Sequence, residues 1–327
     1  MNKKKIGIAS GVAAVGTALG LSASYIVTKG LVKIAIEREI PKGIPQSKKK
    51  ISGSPDPTSF SEQLRVSAER LANIPMEQVE LEAQDGARLV AHWYPCENAR
   101  RVIVAMHGWR SSWTNDFGMI ADFWHDNGCS ILFAEQRGQN NSGGRYMTFG
   151  HLERYDCLDW ASWVTERTER RLPVYLCGVS MGAATVLMTA GLELPASVHG
   201  IMADCGFTSA HAIWKHVVEK NLHLSYKIHG YMINNICKKT ISTDARDIST
   251  LRALPNAKVP VLFVHGSDDT FVPIQMTYDN YKACASEKRL LVIPGAGHGQ
   301  SYFIDKASYE KETRRFWEEF DAPAVES

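Results

Sequence analysis

The chain has 327 residues, 44% hydrophobic and 22% charged, which are ordinary globular values. They exclude a disordered chain, a collagen-like fibre and a disulfide miniprotein. The net charge is +2, but the first fifty residues hold ten Lys and Arg against Glu37 and Glu39, so the remainder is acidic, at −6. An acidic body behind a basic leader argues against nucleic-acid binding, which needs a basic face on the folded domain.

Residues 6–28 form a run of 23 positions without a charge, preceded by Lys3, Lys4 and Lys5 and followed by Lys29. The length is that of a helix crossing a bilayer. The run is rich in Gly, Ala and Ser, and Leu21-Ser22-Ala23 is a poor cleavage site, so an uncleaved anchor fits better than a signal peptide. Lys29, Lys33, Arg38 and Lys42 on the far side nearly balance the Lys triplet, which leaves the side of the membrane open. Residues 31–40 place apolar residues at helical spacing beside charged ones. They predict a short interfacial helix ended by Pro41. The expected organisation is an anchor and juxtamembrane helix over 1–40, a Pro/Gly/Ser/Lys linker over 41–59 and a folded domain over 60–327. The catalytic loops assigned below all lie after Phe60, so a protein starting near Phe60 is expected to be soluble and active.

Val79–Ala83 and Arg88–Tyr94 alternate around Asp85-Gly86, a hairpin signal. Val102–Met106 reads as a buried strand, with a helix over Asp116–Asn127 after it. The alternation continues with strands at Ser130–Ala134, Val174–Cys177, Val198–Ala203, Val261–Val264 and Arg289–Ile293. Helices are expected at Leu152–Glu166, Ala183–Leu192, Ile274–Ala285 and Lys306–Phe320. Strand–helix alternation means an α/β fold, with a mostly parallel sheet, helices on both faces and an antiparallel N-terminal hairpin. Residues 207–255 exceed what a crossover needs and predict a small helical cap. The seven cysteines, Cys96, Cys129, Cys157, Cys177, Cys205, Cys237 and Cys284, show no metal or disulfide spacing and read as reduced core residues.

Gly178-Val179-Ser180-Met181-Gly182 follows a strand and opens a helix, the setting in which Gly-x-Ser-x-Gly exposes a nucleophilic serine. Such a serine needs a base and an orienting carboxylate, in the chain order Ser, acid, His. His298 lies beyond the last strand, in a glycine-rich loop, and is the expected base. Asp268 and Asp269 both follow the penultimate strand, and Asp269 is the chosen acid, with Asp204 as the outside candidate. His107 and His265 precede Gly at strand ends and are expected to bond locally. The backbone N–H groups of Met181 and Trp109 are the expected oxyanion donors. Trp109 and Trp113 are candidate walls of an acyl pocket, and Trp214 of the cap is a candidate substrate contact.

Here a resemblance becomes specific. The stretches MHGW, GVSMG, VLFVHGSDDTFVP and VIPGAGHG, spread over residues 79–320, resemble the serine α/β-hydrolase family. The nearest likeness is to its bacterial, often membrane-anchored branch with a serine-aminopeptidase-like or BEM46-like domain. That resemblance implies an α/β-hydrolase fold and a cofactor-free esterase, lipase, thioesterase or peptidase. Its His-Gly-x-x-Asp-x-x-Val-Pro pattern puts the acid on Asp269. One departure stands out: where the family often reads Asp-x-Arg-Gly-His-Gly-x-Ser, this chain reads Glu135-Gln-Arg137-Gly138-Gln139-Asn140-Asn141-Ser142.

The expected function is cleavage of carboxylic esters with small-molecule or lipid-like acyl groups through an acyl-enzyme. A peptidase, thioesterase or acyltransferase with the same residues is the alternative. A non-catalytic binding protein is disfavoured because none of the three residue types is missing. No metal and no cofactor is expected: Gly295-x-Gly297-x-Gly299 has the wrong spacing for a dinucleotide site, and no His-Glu-x-x-His motif occurs.

Overall fold

A computed structural model describes residues 22–39 and 57–321. The first helix, α1, runs over residues 22–36. It carries the buried stripe Thr28, Val32 and Ile36, spaced four apart on one face. This face packs on the cap described below, so Val32 and Ile36 of the helix expected over 31–40 are buried in protein. Residues 6–21 of the expected anchor lie outside the described residues. Among the described residues no helix is long and apolar enough to cross a membrane. Thr28, at the end of the expected span, is fully buried and bonded to His229 Nδ1 at 2.6 Å.

Helix α2 (Pro57–Ala72) opens on a proline, whose fixed φ suits a first helical turn, and takes in the end of the expected linker. The hairpin follows as β1 (Glu77–Glu82) and β2 (Arg88–Tyr94), then β3 (Arg101–Met106). The single helix expected over Asp116–Asn127 is two short ones, α3 (Trp113–Phe117) and α4 (Ala121–Asp126). Gly118 lies in the break, and its carbonyl accepts from the Arg70 guanidinium of α2 at 2.8 Å rather than continuing one helix.

Next come β4 (Cys129–Glu135), α5 (Glu153–Arg167), β5 (Val174–Val179), α6 (Met181–Thr189) and β6 (Val198–Asp204). The cap holds α7 (Ala210–His216), which runs into a π-helical turn at Val217–Asn221, then α8 (Tyr226–Ile241) and α9 (Thr250–Ala253). The chain closes with β7 (Val261–Gly266), α10 (Ile274–Ala283), β8 (Lys288–Ile293), α11 (Ser301–Ile304) and α12 (Lys306–Phe320).

The eight strands form one sheet in the order β1-β2-β4-β3-β5-β6-β7-β8. β2 pairs antiparallel with β1 and β4, and every later pairing is parallel. The central strands β3 and β4 are buried along their whole length, as a sheet covered on both faces requires. One core layer packs α5 and α6 on the sheet, and the other packs α3, α4 and α12 on the opposite face. A third cluster joins α1, α6 and the cap above the C-terminal ends of the strands. Six of the seven cysteines are buried and all are free thiols.

Candidate active site

The turn between β5 and α6 puts Ser180 at φ 56° and ψ −113°, a strained conformation for a residue with a side chain. Its glycines have a steric reason. A Cβ on Gly178 would lie 2.3 Å from the Gly182 backbone, and one on Gly182 would lie 1.8 Å from the Met106 carbonyl oxygen. Only hydrogen atoms fit where the turn crosses between its own helix and β3. The Ser180 N–H donates to Asp204 O at 2.9 Å, which ties the turn to the end of β6.

Three of the expected residues meet here. His298 Nε2 lies 2.9 Å from Ser180 Oγ, and His298 Nδ1 lies 2.7 Å from Asp269 Oδ2. The other carboxylate oxygen of Asp269 accepts the Phe271 and Val272 N–H groups, both at 2.9 Å, so the loop after β7 fixes its direction. Burial alone would raise the Asp269 carboxyl. The positive charge of His298 and hydrogen bonds from His265 and His298 outweigh burial and hold the group well below the usual carboxylate range. Burial likewise opposes protonation of His298, yet the Asp269 charge and hydrogen bond prevail and raise its pKa above the ordinary histidine value. Asp268 is exposed and accepts from Ser267 Oγ instead. Asp204 is buried and accepts from Ser301 Oγ at 3.0 Å, so its side chain braces the loop beyond His298.

His107 and His265 bond locally. Gln136 N–H donates to His107 Nε2, so Nδ1 carries the proton and donates to Gly108 O at 2.8 Å. His265 bonds Thr277 Oγ1 and Val272 O, and its ring also stands 3.3 Å from Asp269. That second support of the carboxylate was not legible from position alone.

The loop after β3 brings Gly108 against Ser180, since a Cβ on Gly108 would touch the serine Cβ at 3.4 Å. Asp116 holds this loop by accepting Gly108 N–H at 2.5 Å and Ser111 Oγ at 2.6 Å. Gln139 accepts Arg110 N–H at 2.6 Å and so pins the residue after Trp109. Neither Trp109 N–H nor Met181 N–H has an acceptor among the described residues.

An apolar cavity of about 260 Å³ opens beside Ser180. Trp109 and Trp214 line it, together with Met181, Phe149, Phe207 and Phe271. The Trp214 indole N–H has no acceptor among the described residues. Trp113 is a correction. It opens α3 and stacks on His92 at 4.4 Å and packs near Phe133, within the core layer under the sheet. An aromatic in a loop next to the site can turn either way, and here the sheet face captures it. Four residues of α1, which precedes Phe60, also line the cavity.

Cys205, Asp269 and His298 bring possible ligand atoms within 4.8 Å of one another. Asp269 and His298 already bond each other and Ser180, and burial raises the Cys205 thiol well above its usual value, so this trio makes a poor metal site.

A mostly parallel sheet with a serine turn after β5 and an acid and a histidine on later loops is the α/β-hydrolase plan. Residues 97–244 match the family model described as serine aminopeptidase, S33. Bacillus subtilis YqkD, an uncharacterized protein, is 26% identical over 229 residues, covering 69% of this chain and 73% of that protein. Escherichia coli YfhR, also uncharacterized, is 23% identical over 231 residues, covering 68% and 73%. Among solved structures, the Pyrococcus furiosus esterase Pf2001 superposes with a TM-score of 0.65 at 18% identity, over 78% of this chain and 94% of the esterase. The Pyrococcus horikoshii acylaminoacyl peptidase superposes with a TM-score of 0.58 at 16% identity, over 80% of this chain and 44% of the peptidase. The chain has the α/β-hydrolase fold.

Proposed function

We propose that this hydrolase cleaves carboxylic esters through an acyl-enzyme on Ser180. The observation that carries this reading is the unbroken chain from Ser180 Oγ through His298 to Asp269 at the wall of an apolar cavity. His298 removes the serine proton as Ser180 attacks the carbonyl, then gives that proton to the leaving alcohol. Asp269 holds the imidazole tautomer and stabilises the imidazolium. The N–H groups of Trp109 and Met181 take the oxyanion, each worth about 3 kcal/mol. Water, deprotonated by His298, then attacks the acyl-enzyme and releases the carboxylic acid and free Ser180.

An aminopeptidase needs a carboxylate to hold the substrate amine. None stands among the described residues lining the cavity, whose chemistry suits an aliphatic acyl group instead. The test is labelling with a fluorophosphonate. Wild-type protein should be labelled at Ser180 and should hydrolyse activated esters, and Ser180→Ala should do neither. An unlabelled wild-type protein would overturn the reading.

A pH dependence follows. His298 must be neutral to accept the serine proton, and Asp269 raises its pKa. Activity should therefore fall as pH drops, with a midpoint in kcat/KM above the ordinary histidine value of about 6.5. Removing the negative charge in Asp269→Asn should move the midpoint of the residual activity to lower pH. A profile measured on one activated ester checks both signs.

A further inference from the structure

Helix α1 lies upstream of the hydrolase domain, yet it forms one side of the cavity through Leu31, Val32, Ile34 and Ala35. It is clamped at two places. At the C-terminal end the helix carbonyls have no helical partners and take outside donors. Trp109 Nε1 donates to Ala35 O at 2.8 Å, and the Arg110 guanidinium donates to Ile34 O at 2.7 Å and to Glu37 O at 2.5 Å. A cation at this end also suits the helix dipole. Trp109 and Arg110 belong to the loop that abuts Ser180, so α1 is bonded directly to the wall of the reaction centre. Near the middle of the helix Thr28 meets His229 of α8, and between the clamps Val32 and Ile36 are buried against the cap.

We propose that α1 is a working wall of an acyl-binding site, and that Leu31 and Ala35 limit the length of the acyl chain. This rests on the ester-hydrolase reading and specifies its substrate. The cavity beside Ser180 is lined almost wholly by apolar side chains, so it suits an aliphatic chain whose length is limited where the cavity meets α1. Each methylene that enters should raise kcat/KM about fourfold until the cavity is full. Longer chains must press on α1.

The experiment uses the full chain and a series of activated esters from acetate to dodecanoate. Wild type should rise from acetate to a maximum within the series. Ala35→Phe fills the cavity, and its octanoate-to-acetate ratio of kcat/KM should fall tenfold or more. Leu31→Ala removes atoms only, and its dodecanoate-to-octanoate ratio should rise severalfold. Ile26→Ala, on the exposed face of the same helix, should leave both ratios unchanged. Should Ala35→Phe lose its thermal transition, Leu31→Ala decides alone. Calorimetric titration of octanoate onto Ser180→Ala reads the cavity without turnover. Octanoate should bind, and adding Ala35→Phe should weaken it tenfold or more. Protein that binds octanoate in this way but is not labelled at Ser180 would sink the esterase reading and keep the acyl site. Unchanged ratios in both α1 variants, with octanoate affinity also unchanged, would overturn the proposal.

Discussion

Replacing Asp269 by Asn should lower kcat on an activated ester by about 10⁴, the cost of the equivalent change in the serine-protease triad. The substitution keeps the side-chain shape, so the Phe271 and Val272 N–H groups can still bond Oδ1. It replaces Oδ2, which faces His298 Nδ1 at 2.7 Å, with a group able to present an N–H. The ring then turns its protonated nitrogen towards Ser180 and cannot accept a proton. Asp268→Asn is the control, because that carboxylate is exposed and bonds Ser267. Its kcat should stay within a fewfold of wild type. Ser180→Ala and His298→Ala should each fall to background, and the double variant should be little worse than either, as for residues acting as a unit. A tenfold greater loss in Asp268→Asn than in Asp269→Asn would assign the acid wrongly, and no loss in either would send the search to Asp204.

Gly182→Ala should be the most destabilising single methyl addition in the serine turn. The new Cβ would lie 1.8 Å from the Met106 carbonyl oxygen and 2.8 Å from that of His107. Both are backbone atoms at the end of the central strand β3, and neither is a flexible side-chain tip. Either α6 must lift from the sheet or β3 must shift, and both movements break the packing of a core buried on all sides. Ordinary overpacking costs about 1–3 kcal/mol, and a backbone clash of this depth should exceed about 4 kcal/mol. Gly30→Ala is the matched control: nothing lies within 4 Å of its added Cβ, and it sits inside α1. It should stabilise by up to about 1 kcal/mol through helix propensity. Thermal unfolding of the two variants beside wild type measures the contrast. A Gly182→Ala protein melting within a degree or two of wild type would show that the turn can relax.

The elements that depend on neighbouring residues alone were readable from the sequence. At Gly178 the β5–Ser180–α6 turn is a case of local sterics, because an added Cβ would meet the Gly182 backbone of the same turn, whereas Gly182 is needed because β3 lies against it. The strands β3, β4 and β7 announce themselves as short apolar runs, since a strand buried on both faces has no polar positions. Chain order then brought Ser180, Asp269 and His298 together, because each follows a strand of one parallel sheet and all such strands end on the same edge. The choice between Asp268 and Asp269 came from a resemblance, and the geometry that separates them is a matter of which side chain the loop after β7 aims inward.

Where an apolar surface goes was decided only by the tertiary structure. The stripe Thr28, Val32 and Ile36 shows that one face of α1 is covered, but lipid and protein satisfy an apolar face equally well. The cap, with His229 placed to bond Thr28, settles the matter for that face. Trp113 likewise had two apolar destinations, the cavity and the sheet, and His92 and Phe133 lie nearest on the sheet side. Gln139 had no local signal at all. Its task is to hold Arg110 N–H, a partner 29 residues away in sequence. Local sterics and strand order are encoded within a few residues, whereas the covering of a face depends on a partner elsewhere in the chain.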